Sequence, residues 1–146
     1  MAASNKISGD DYAEILNLYA HYNLCSDEGD AEGYASCFTR EGELVLEGLG
    51  VQLSGRAAFI EFKKKDAGGR GGRYRRHWNA NIHLTRIDKR TIRGRAYLHA
   101  YNGVPGEVPQ LADVAVYEDT ISLEDGEWLF SSRRLSFDAT SFKPPK

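Results

Sequence analysis

The sequence of 146 residues lacks the features that mark membrane, secreted and metal-binding proteins. Its two cysteines, Cys25 and Cys37, are too few for a disulfide framework or a zinc site, and we predict two buried thiols. No apolar run approaches the roughly 18 residues of a membrane helix, and the opening MAASNK lacks the apolar centre of a signal peptide. We therefore expect a cytoplasmic protein with no membrane partner and no metal.

The composition indicates one folded domain. Hydrophobic residues make up 41% and aromatic residues 11% of the chain, which excludes an intrinsically disordered protein. A chain of this length buries about 68–70% of the surface that its unfolded form exposes, so it needs no metal or disulfide to hold a core. We predict a single domain over residues 1–146, with a core at 8–138 and a C-terminal tail at 139–146.

The small net charge of −2 hides an uneven distribution. Residues 63–76, KKKDAGGRGGRYRR, contain seven basic side chains and one acid, which leaves −8 on the remaining residues. One such run is usually a solvated loop. A glycine-rich loop of this kind can also move over the mouth of a pocket as a lid.

Three helices are expected in the first half of the chain. Ser8 and Asp11 resemble a capping box, and apolar residues then recur at spacings of three and four. Gly29 can end this helix and Asp30 can cap a second one, while a third begins after Gly55 and ends in the lysine run. Asp27, which has no place in the apolar pattern, falls where the first two helices meet.

The second half of the sequence is typical of a β-sheet. Alternating apolar residues after residue 42 predict a hairpin, and four long segments rich in β-branched and aromatic residues follow it, at 74–87, 92–102, 111–123 and 127–137. Helices followed by a meander of antiparallel strands define an α+β fold, with the strands curling around the helices.

Strand alternation sorts the side chains by face. In the first long strand it places His77, Asn79 and Asn81 on one face, opposite Trp78 and Ile82. In the last strand, alternation places Leu129 on the same face as Arg133. If the faces that carry His77, Ala96, Ala115 and Arg133 all turn inward, they enclose a cavity with mainly apolar walls. Such a cavity is the usual form of a small-molecule site.

Three segments resemble the SnoaL-like group of the nuclear transport factor 2-like superfamily: ILNLYAHYNLCSDEGDAEGYASCFTREGELVLEGLG, RRHWNANIHLT and DGEWLFSSRR. The resemblance covers about residues 8–138. It implies a cone-shaped fold in which a curved mixed sheet wraps around three helices and encloses a pocket. Within this superfamily the sequence is most similar to hexachlorocyclohexane dehydrochlorinase and scytalone dehydratase, elimination enzymes that use an aspartate and a histidine.

Carried over position by position, the resemblance implies Asp27, His77 and Arg133 as catalytic residues. The helix lysine of the dehydrochlorinase falls on Tyr22, so a phenol stands in place of an ammonium group. The implied substrate-binding residues are Tyr22, Leu44, Asn79, Ala96, Leu98, Asp113, Tyr117, Leu135 and Phe137. Asp113 and Tyr117 replace apolar residues of that enzyme, which indicates a more oxygenated substrate.

A histidine with an ordinary pKa near 6.5 is largely neutral at pH 7, so it can take a proton from carbon. An aspartate bonded to the other ring nitrogen fixes the tautomer and stabilises the imidazolium. We therefore expect a cofactor-independent lyase or isomerase of the dehydratase type, acting on a hydrophobic, oxygenated cyclic small molecule. Simpler roles stay open: Asp27 as a cap, Tyr22 as a core residue, and Arg133 as the ion-pair partner of Asp113 or Asp27.

Two other functions also stay open. The chain could be a non-catalytic small-molecule-binding domain or a subunit of a larger complex, as other members of the superfamily are. Alternatively, GGRGGRYRR could bind single-stranded RNA through phosphate contacts and base stacking, but a single short run in an otherwise acidic chain favours this least.

The resemblance also implies a homo-oligomer, with a trimer favoured over a dimer. Candidate interface residues are the aromatic side chains expected on the outer surface, which are Trp78, Tyr97, Tyr101 and Trp128.

Three charged residues, Glu43, Glu47 and Asp66, are expected to be solvated.

Overall fold

Three helices and six strands make up residues 5–146, the part of the chain that the computed structural model describes. In chain order they are α1 (Gly9–Glu28), α2 (Ala31–Ser36), β1 (Phe38–Leu46), β2 (Val51–Ser54), α3 (Arg56–Gly68), β3 (Tyr74–Asp88), β4 (Thr91–Gly103), β5 (Gln110–Glu124) and β6 (Glu127–Thr140). Most of the opening MAASNK lies outside the described residues. None of the helices within 5–146 is long and apolar enough to cross a membrane.

All six strands belong to one curved sheet, in the order β2-β1-β6-β5-β4-β3. Neighbouring strands are antiparallel except for the pair β1 and β6, which is parallel. The helices pack in the concavity of the sheet, and β6 continues to residue 140, two residues past the predicted end of the core. The predicted α+β fold, a curved mixed sheet around three helices, is confirmed.

Local signals fix the turn between the first two helices. Ser8 accepts a hydrogen bond from the backbone of Asp11 and caps α1. At the other end, Gly29 ends the helix with a left-handed φ of 74°, a conformation that glycine adopts without strain. Asp30 then accepts from the backbone of Gly33 and caps α2. The predicted caps are confirmed, and they place the last turn of α1 against β3.

The inward face of β3 changes at Asn81, which has a left-handed φ of 54°. The pairing with β4 shifts register there, as expected for a bulge that inserts one extra residue. Before the bulge, His77 and Asn79 face α1, where they bond side chains of that helix. After it, Ile82 and Leu84 pack against the core. The predicted placement of Ile82 opposite His77 is therefore wrong, because uninterrupted alternation cannot anticipate a bulge.

A second irregularity changes β6. The pairing with β5 shifts between Ser132 and Phe130, which buries Phe130 completely and turns Leu129 away from the face of Arg133. The predicted grouping of Leu129 with Arg133 is wrong for the same reason as in β3. Trp128 is also not on the outer surface: it is 4% exposed, and its indole N–H donates to Asp11 over 2.9 Å.

The two cysteines are free and buried, as predicted. Burial raises the pKa of Cys25 to about 11 and that of Cys37 to about 12. Both side chains are therefore protonated at neutral pH and act as small apolar groups, since the thiolate is the reactive form of cysteine.

The backbone at Asn81 can be tested by substitution. A β-branched residue in the left-handed region costs about 1–2 kcal/mol, whereas glycine adopts it without a steric penalty. We expect Asn81→Ile to lower the free energy of unfolding by about 1–2 kcal/mol in urea titrations. Asn81→Gly, the matched control, should stay within about 0.5 kcal/mol of the parent protein. Equal stability of the two variants would show that the bulge carries no strain.

Candidate active site

A narrow cavity, here called the central pocket, lies between the helices and the concave face of the sheet. Its lining residues are Tyr22, Ser26, Tyr34, Leu44, Leu46, Phe62, Lys63, Asp66, Arg75, His77, Leu98, Asp113, Tyr117, Leu135, Phe137 and Phe142. The cavity has a volume of about 50 Å³. That is room for a few water molecules and about a third of a ~150 Å³ cavity that accommodates benzene. A ring could therefore enter only if part of the wall moved.

The ring of His77 is hydrogen-bonded at both nitrogens. Nδ1 lies 2.5 Å from Oδ1 of Asp27, whose Oδ2 accepts the backbone N–H of His77 over 3.1 Å. On the other side, Nε of Arg75 donates to Nε2 over 3.3 Å. A carboxylate only accepts and a guanidinium only donates, so both partners require a neutral imidazole with its proton on Nδ1.

The surroundings of His77 also favour the neutral form. Burial lowers the pKa of His77, and the charges of Arg75 and Lys63 lower it further, while the hydrogen bond and charge of Asp27 offset part of this effect. The net pKa lies below the ordinary value of 6.5. At pH 7 the imidazole is therefore neutral, and its Nε2 accepts the hydrogen bond from Arg75 beside the central pocket, which His77 lines.

A second polar group forms where α3 meets the end of α1. Nζ of Lys63 donates to Ser26 over 2.8 Å and to Asp66 over 2.9 Å. Arg70 donates to the same carboxylate over 2.8 Å and to the carbonyls of Ser26 and Asp27 over 2.7 and 2.8 Å. The expectation that Asp66 is solvated is therefore wrong, because its side chain is 10% exposed and bonded to two cations.

This group changes the interpretation of the glycine-rich segment. Its first residues belong to α3, and Arg70 ties the start of the loop to the last turn of α1. Lys63, four residues after the fully buried Phe59, lies on the buried face of α3. That spacing of four was the signal in the sequence for an inward lysine, and the lysine run concealed it.

Burial lowers the pKa of Lys63, and Asp66 partly restores it. For Asp66, burial alone would raise the pKa, but the charges of Lys63 and Arg70 outweigh this effect and lower it. The three side chains thus stabilise one another as ions at one end of the central pocket.

Asp113 lies in the pocket wall, as predicted, but its partner is not Arg133. Its carboxylate accepts hydrogen bonds from Arg75 and from Thr140. Arg75 also donates to Asn102 over 2.8 Å, so its guanidinium connects His77, Asn102 and Asp113. Strand alternation puts Arg75 on the same face as His77, two residues away, but the sequence gave no signal of its role.

Arg133 lies behind the pocket wall and does not reach the cavity, since it is 0% exposed. Nε and Nη2 bond the two oxygens of Asp119 over 2.9 and 3.0 Å, and the hydroxyl of Tyr19 donates to the same carboxylate over 2.5 Å. The guanidinium carbon lies 3.7 Å from the ring centre of Tyr117 and 4.3 Å from that of Tyr22. The alternative role of Arg133 as an ion-pair partner is correct, but its partner is Asp119 and not Asp113 or Asp27.

Most of the predicted binding positions lie in the central pocket. They are Tyr22, Leu44, Leu98, Asp113, Tyr117, Leu135 and Phe137. His77, which was predicted as a catalytic residue, lines the same pocket. Asn79 and Ala96 lie elsewhere: Asn79 accepts a hydrogen bond from Asn23 over 2.6 Å, and Ala96 is 1% exposed. The aromatic rings around Arg133 fill the interior, so the cavity occupies only the end of the fold nearest Asp27.

Several lining residues had no signal in the sequence. Ser26 and Tyr34 come from α1 and α2, and Phe142 comes from the predicted tail. Phe142 lies with its ring centre 5.6 Å from the guanidinium carbon of Arg75. The chain after β6 therefore contributes to the pocket wall.

The fold and the pocket define an α+β protein with a narrow cavity between its helices and a curved sheet. The model of the SnoaL-like domain family matches residues 8–134, most of the chain. The protein belongs to this family. No match was found among curated protein sequences.

Several solved structures share this fold. ActVI-ORFA from Streptomyces coelicolor is 26% identical with a TM-score of 0.79, and the match covers 87% of this chain and 96% of that chain. A proposed scytalone dehydratase from Novosphingobium aromaticivorans is 21% identical with a TM-score of 0.78, covering 94% and 92%. A nuclear transport factor 2-like protein with a cystatin-like fold from the same organism is 22% identical with a TM-score of 0.76, covering 90% and 85%.

The buried pair of Arg133 and Asp119 should be sensitive to loss of either partner. Removing one member of a buried ion pair leaves an uncompensated charge and costs about 3–5 kcal/mol. We expect Asp119→Leu to lower the free energy of unfolding by this amount in urea titrations, and the double variant with Arg133→Met to recover much of it.

Arg134 provides the control, because its ion pair with Glu47 is exposed at the surface. Arg134→Ala should cost at most about 1 kcal/mol. Two results would contradict a buried, mutually dependent pair of Arg133 and Asp119. One is a loss of unfolding free energy in Asp119→Leu no larger than in Arg134→Ala, and the other is a double variant less stable than Asp119→Leu alone.

Proposed function

We propose that the chain is a cofactor-independent lyase or isomerase of the dehydratase type, which removes a proton from a hydrophobic, oxygenated cyclic small molecule. His77 is the base, and Asp27 positions it. The observation that carries the proposal is the pair of hydrogen bonds that hold His77, a residue of the pocket wall, neutral with its proton on Nδ1.

In a dehydration, Nε2 of His77 takes a proton from the carbon next to a carbonyl group, and the electron pair of that bond moves into an enolate. Asp27 stabilises the imidazolium through Nδ1. Burial and Arg75 destabilise the same cation, so it readily returns the proton to the departing hydroxyl. The products are an enone and water, and His77 is neutral again, so the cycle needs no further reactant.

Arg75 replaces Arg133 in this proposal as the group that stabilises the enolate oxygen. Its bonds to His77, Asn102 and Asp113 use three of the five N–H groups of a guanidinium. The other two are available to a substrate oxygen, and preorganised donors of this kind contribute most in a dry site. Tyr22 can add a hydroxyl, since burial raises its pKa and keeps the phenol protonated.

Entry of a ring requires the pocket wall to move. The bond from Arg75 to Nε2 is long, so it can yield when a substrate C–H group approaches the base. Phe142 lies after the last strand, where neighbouring residues are held by few backbone bonds. We therefore assign Phe142 to the part of the wall that opens.

The narrow cavity also supports a second candidate, a non-catalytic domain that binds a small molecule or works as a subunit of a larger complex. Such a domain would bind ligands without turnover. The RNA-binding function loses support, because Lys63, Arg70 and Arg75 of the basic run are bonded to interior or partly buried acceptors.

We retain a homo-oligomer, with a trimer favoured over a dimer, as a proposal. Trp78 and Tyr97 are 66% and 46% exposed on the outer face of the sheet, on neighbouring strands. Exposed aromatic residues are common at interfaces. The cytoplasmic location and the single domain with its core at 8–138 stay predictions as well.

Turnover of cyclic β-hydroxyketones, beginning with 3-hydroxycyclohexanone, tests the proposed reaction through the ultraviolet absorbance of the enone product. General acid–base groups contribute typically ~10²- to 10⁴-fold. We expect His77→Ala to lower kcat at least about 100-fold. Asp27→Asn should also lower kcat, since an amide can stabilise the wrong tautomer. Deuterium exchange next to the carbonyl, measured by NMR, extends the assay to isomerisation.

His99 provides the matched control, because it is an exposed histidine on the outer face of β4. His99→Ala should keep full activity, and circular dichroism should show that all three variants are folded. If His77→Ala turns over these substrates as fast as the parent protein, the dyad mechanism is excluded. If the parent protein binds the ketones but exchanges no deuterium, the non-catalytic function is supported.

A further inference from the structure

A second cleft opens beside the central pocket and has a strongly basic wall. Its lining residues are Lys65, Asp66, Gly69, Arg70, Arg73, Tyr74, Arg75, Asn102, Ser141, Phe142, Lys143 and Pro145, and we call it the basic cleft. Its volume is about 250 Å³. Asp66, Arg75 and Phe142 line both cavities, so the basic cleft adjoins the central pocket.

The charge of the basic cleft is not balanced by its own residues. Five of the lining residues are lysine or arginine, and the one carboxylate among them, Asp66, is already bonded to Lys63 and Arg70. Within residues 5–146, Arg73 and Lys143 are exposed and form no ion pair. These two cations are therefore available to a ligand, although the chain as a whole carries a net charge of −2.

We propose that the basic cleft binds an anionic group, a carboxylate or a phosphate, carried by the molecule whose ring occupies the central pocket. The proposal deepens the proposed function, on which it rests for the position of the ring. An arginine and a lysine flanking a concave surface suit oxyanions, since the guanidinium bonds two oxygens at once and the ammonium adds a point charge. The adjoining cavities allow one molecule to occupy both.

A small anion fits this cleft better than a nucleic acid. Single strands bind along grooves in which exposed aromatic rings stack on successive bases. The one aromatic ring from the basic run, Tyr74, has the guanidinium carbon of Arg76 at 5.2 Å from its centre, and its hydroxyl donates to the carbonyl of Glu107. The cleft is also a short concave surface of about 250 Å³ beside the pocket, which has room for one or two charged groups.

Isothermal titration calorimetry with phenyl phosphate, phenylacetate and benzyl alcohol tests the proposal, because the three probes share a ring and differ in charge. We expect at least one of the two anions to bind about tenfold more tightly than benzyl alcohol. The double variant Arg73→Gln/Lys143→Gln should lose about tenfold in affinity for that anion and keep its affinity for benzyl alcohol. A preference for phenyl phosphate indicates a phosphorylated substrate, and a preference for phenylacetate a carboxylated one.

Lys64→Gln/Lys89→Gln is the matched control, since it removes two exposed lysines outside the basic cleft. It should bind the anions like the parent protein. The proposal is overturned if both double variants bind equally, if benzyl alcohol binds as tightly as both anions, or if single-stranded RNA displaces phenyl phosphate. The probes have no hydroxyl that can be eliminated next to a carbonyl, so the result is independent of turnover by His77.

Discussion

The hydrogen bond between Asp27 and His77 joins parts of the chain that are 50 residues apart, and the site depends on it. It connects the last turn of α1 to the start of β3, beside the cavity that His77 lines. Because Arg75 donates to the other ring nitrogen, the imidazole has one permitted state, neutral with its proton on Nδ1. The same contact thus fixes the fold locally and sets the protonation state that the proposed proton abstraction requires.

The interior contains several charged side chains, and each of them is paired with a side chain of opposite charge. Arg133 and Asp119 neutralise each other behind the aromatic rings, while Lys63, Asp66 and Arg70 do so at the end of α1. A buried ion pair contributes little net stability, because the free energy of desolvating the two charges nearly cancels the free energy of their attraction. The pairs instead hold side chains in fixed positions around the cavity, and the cations nearest His77 lower its pKa.

Caps, turns and alternation are local signals, and they predicted the helices and the strands. The mixed sheet and most of the pocket wall were implied by the resemblance to the SnoaL-like family. The predictions failed where geometry depends on irregular backbone or on distant partners. The bulge at Asn81 changed the inward face of β3, and the partner of Arg133 came from β5 and not from the pocket. Arg75 and Lys63 were hidden in a basic run that resembles a solvated loop. The run masked the spacing of four between Phe59 and Lys63, and no local signal indicated the partners of Arg75.

Nitrogen-15 NMR of the histidine rings tests the central claim most directly, with His77→Gln used to assign the signals among the four histidines of the chain. The account predicts a neutral His77 at pH 7, with the proton on Nδ1 and an unprotonated Nε2. That state should persist below pH 6.5, because burial and the charge of Arg75 lower the pKa of His77. An imidazolium at pH 7, or a proton on Nε2, would contradict the account.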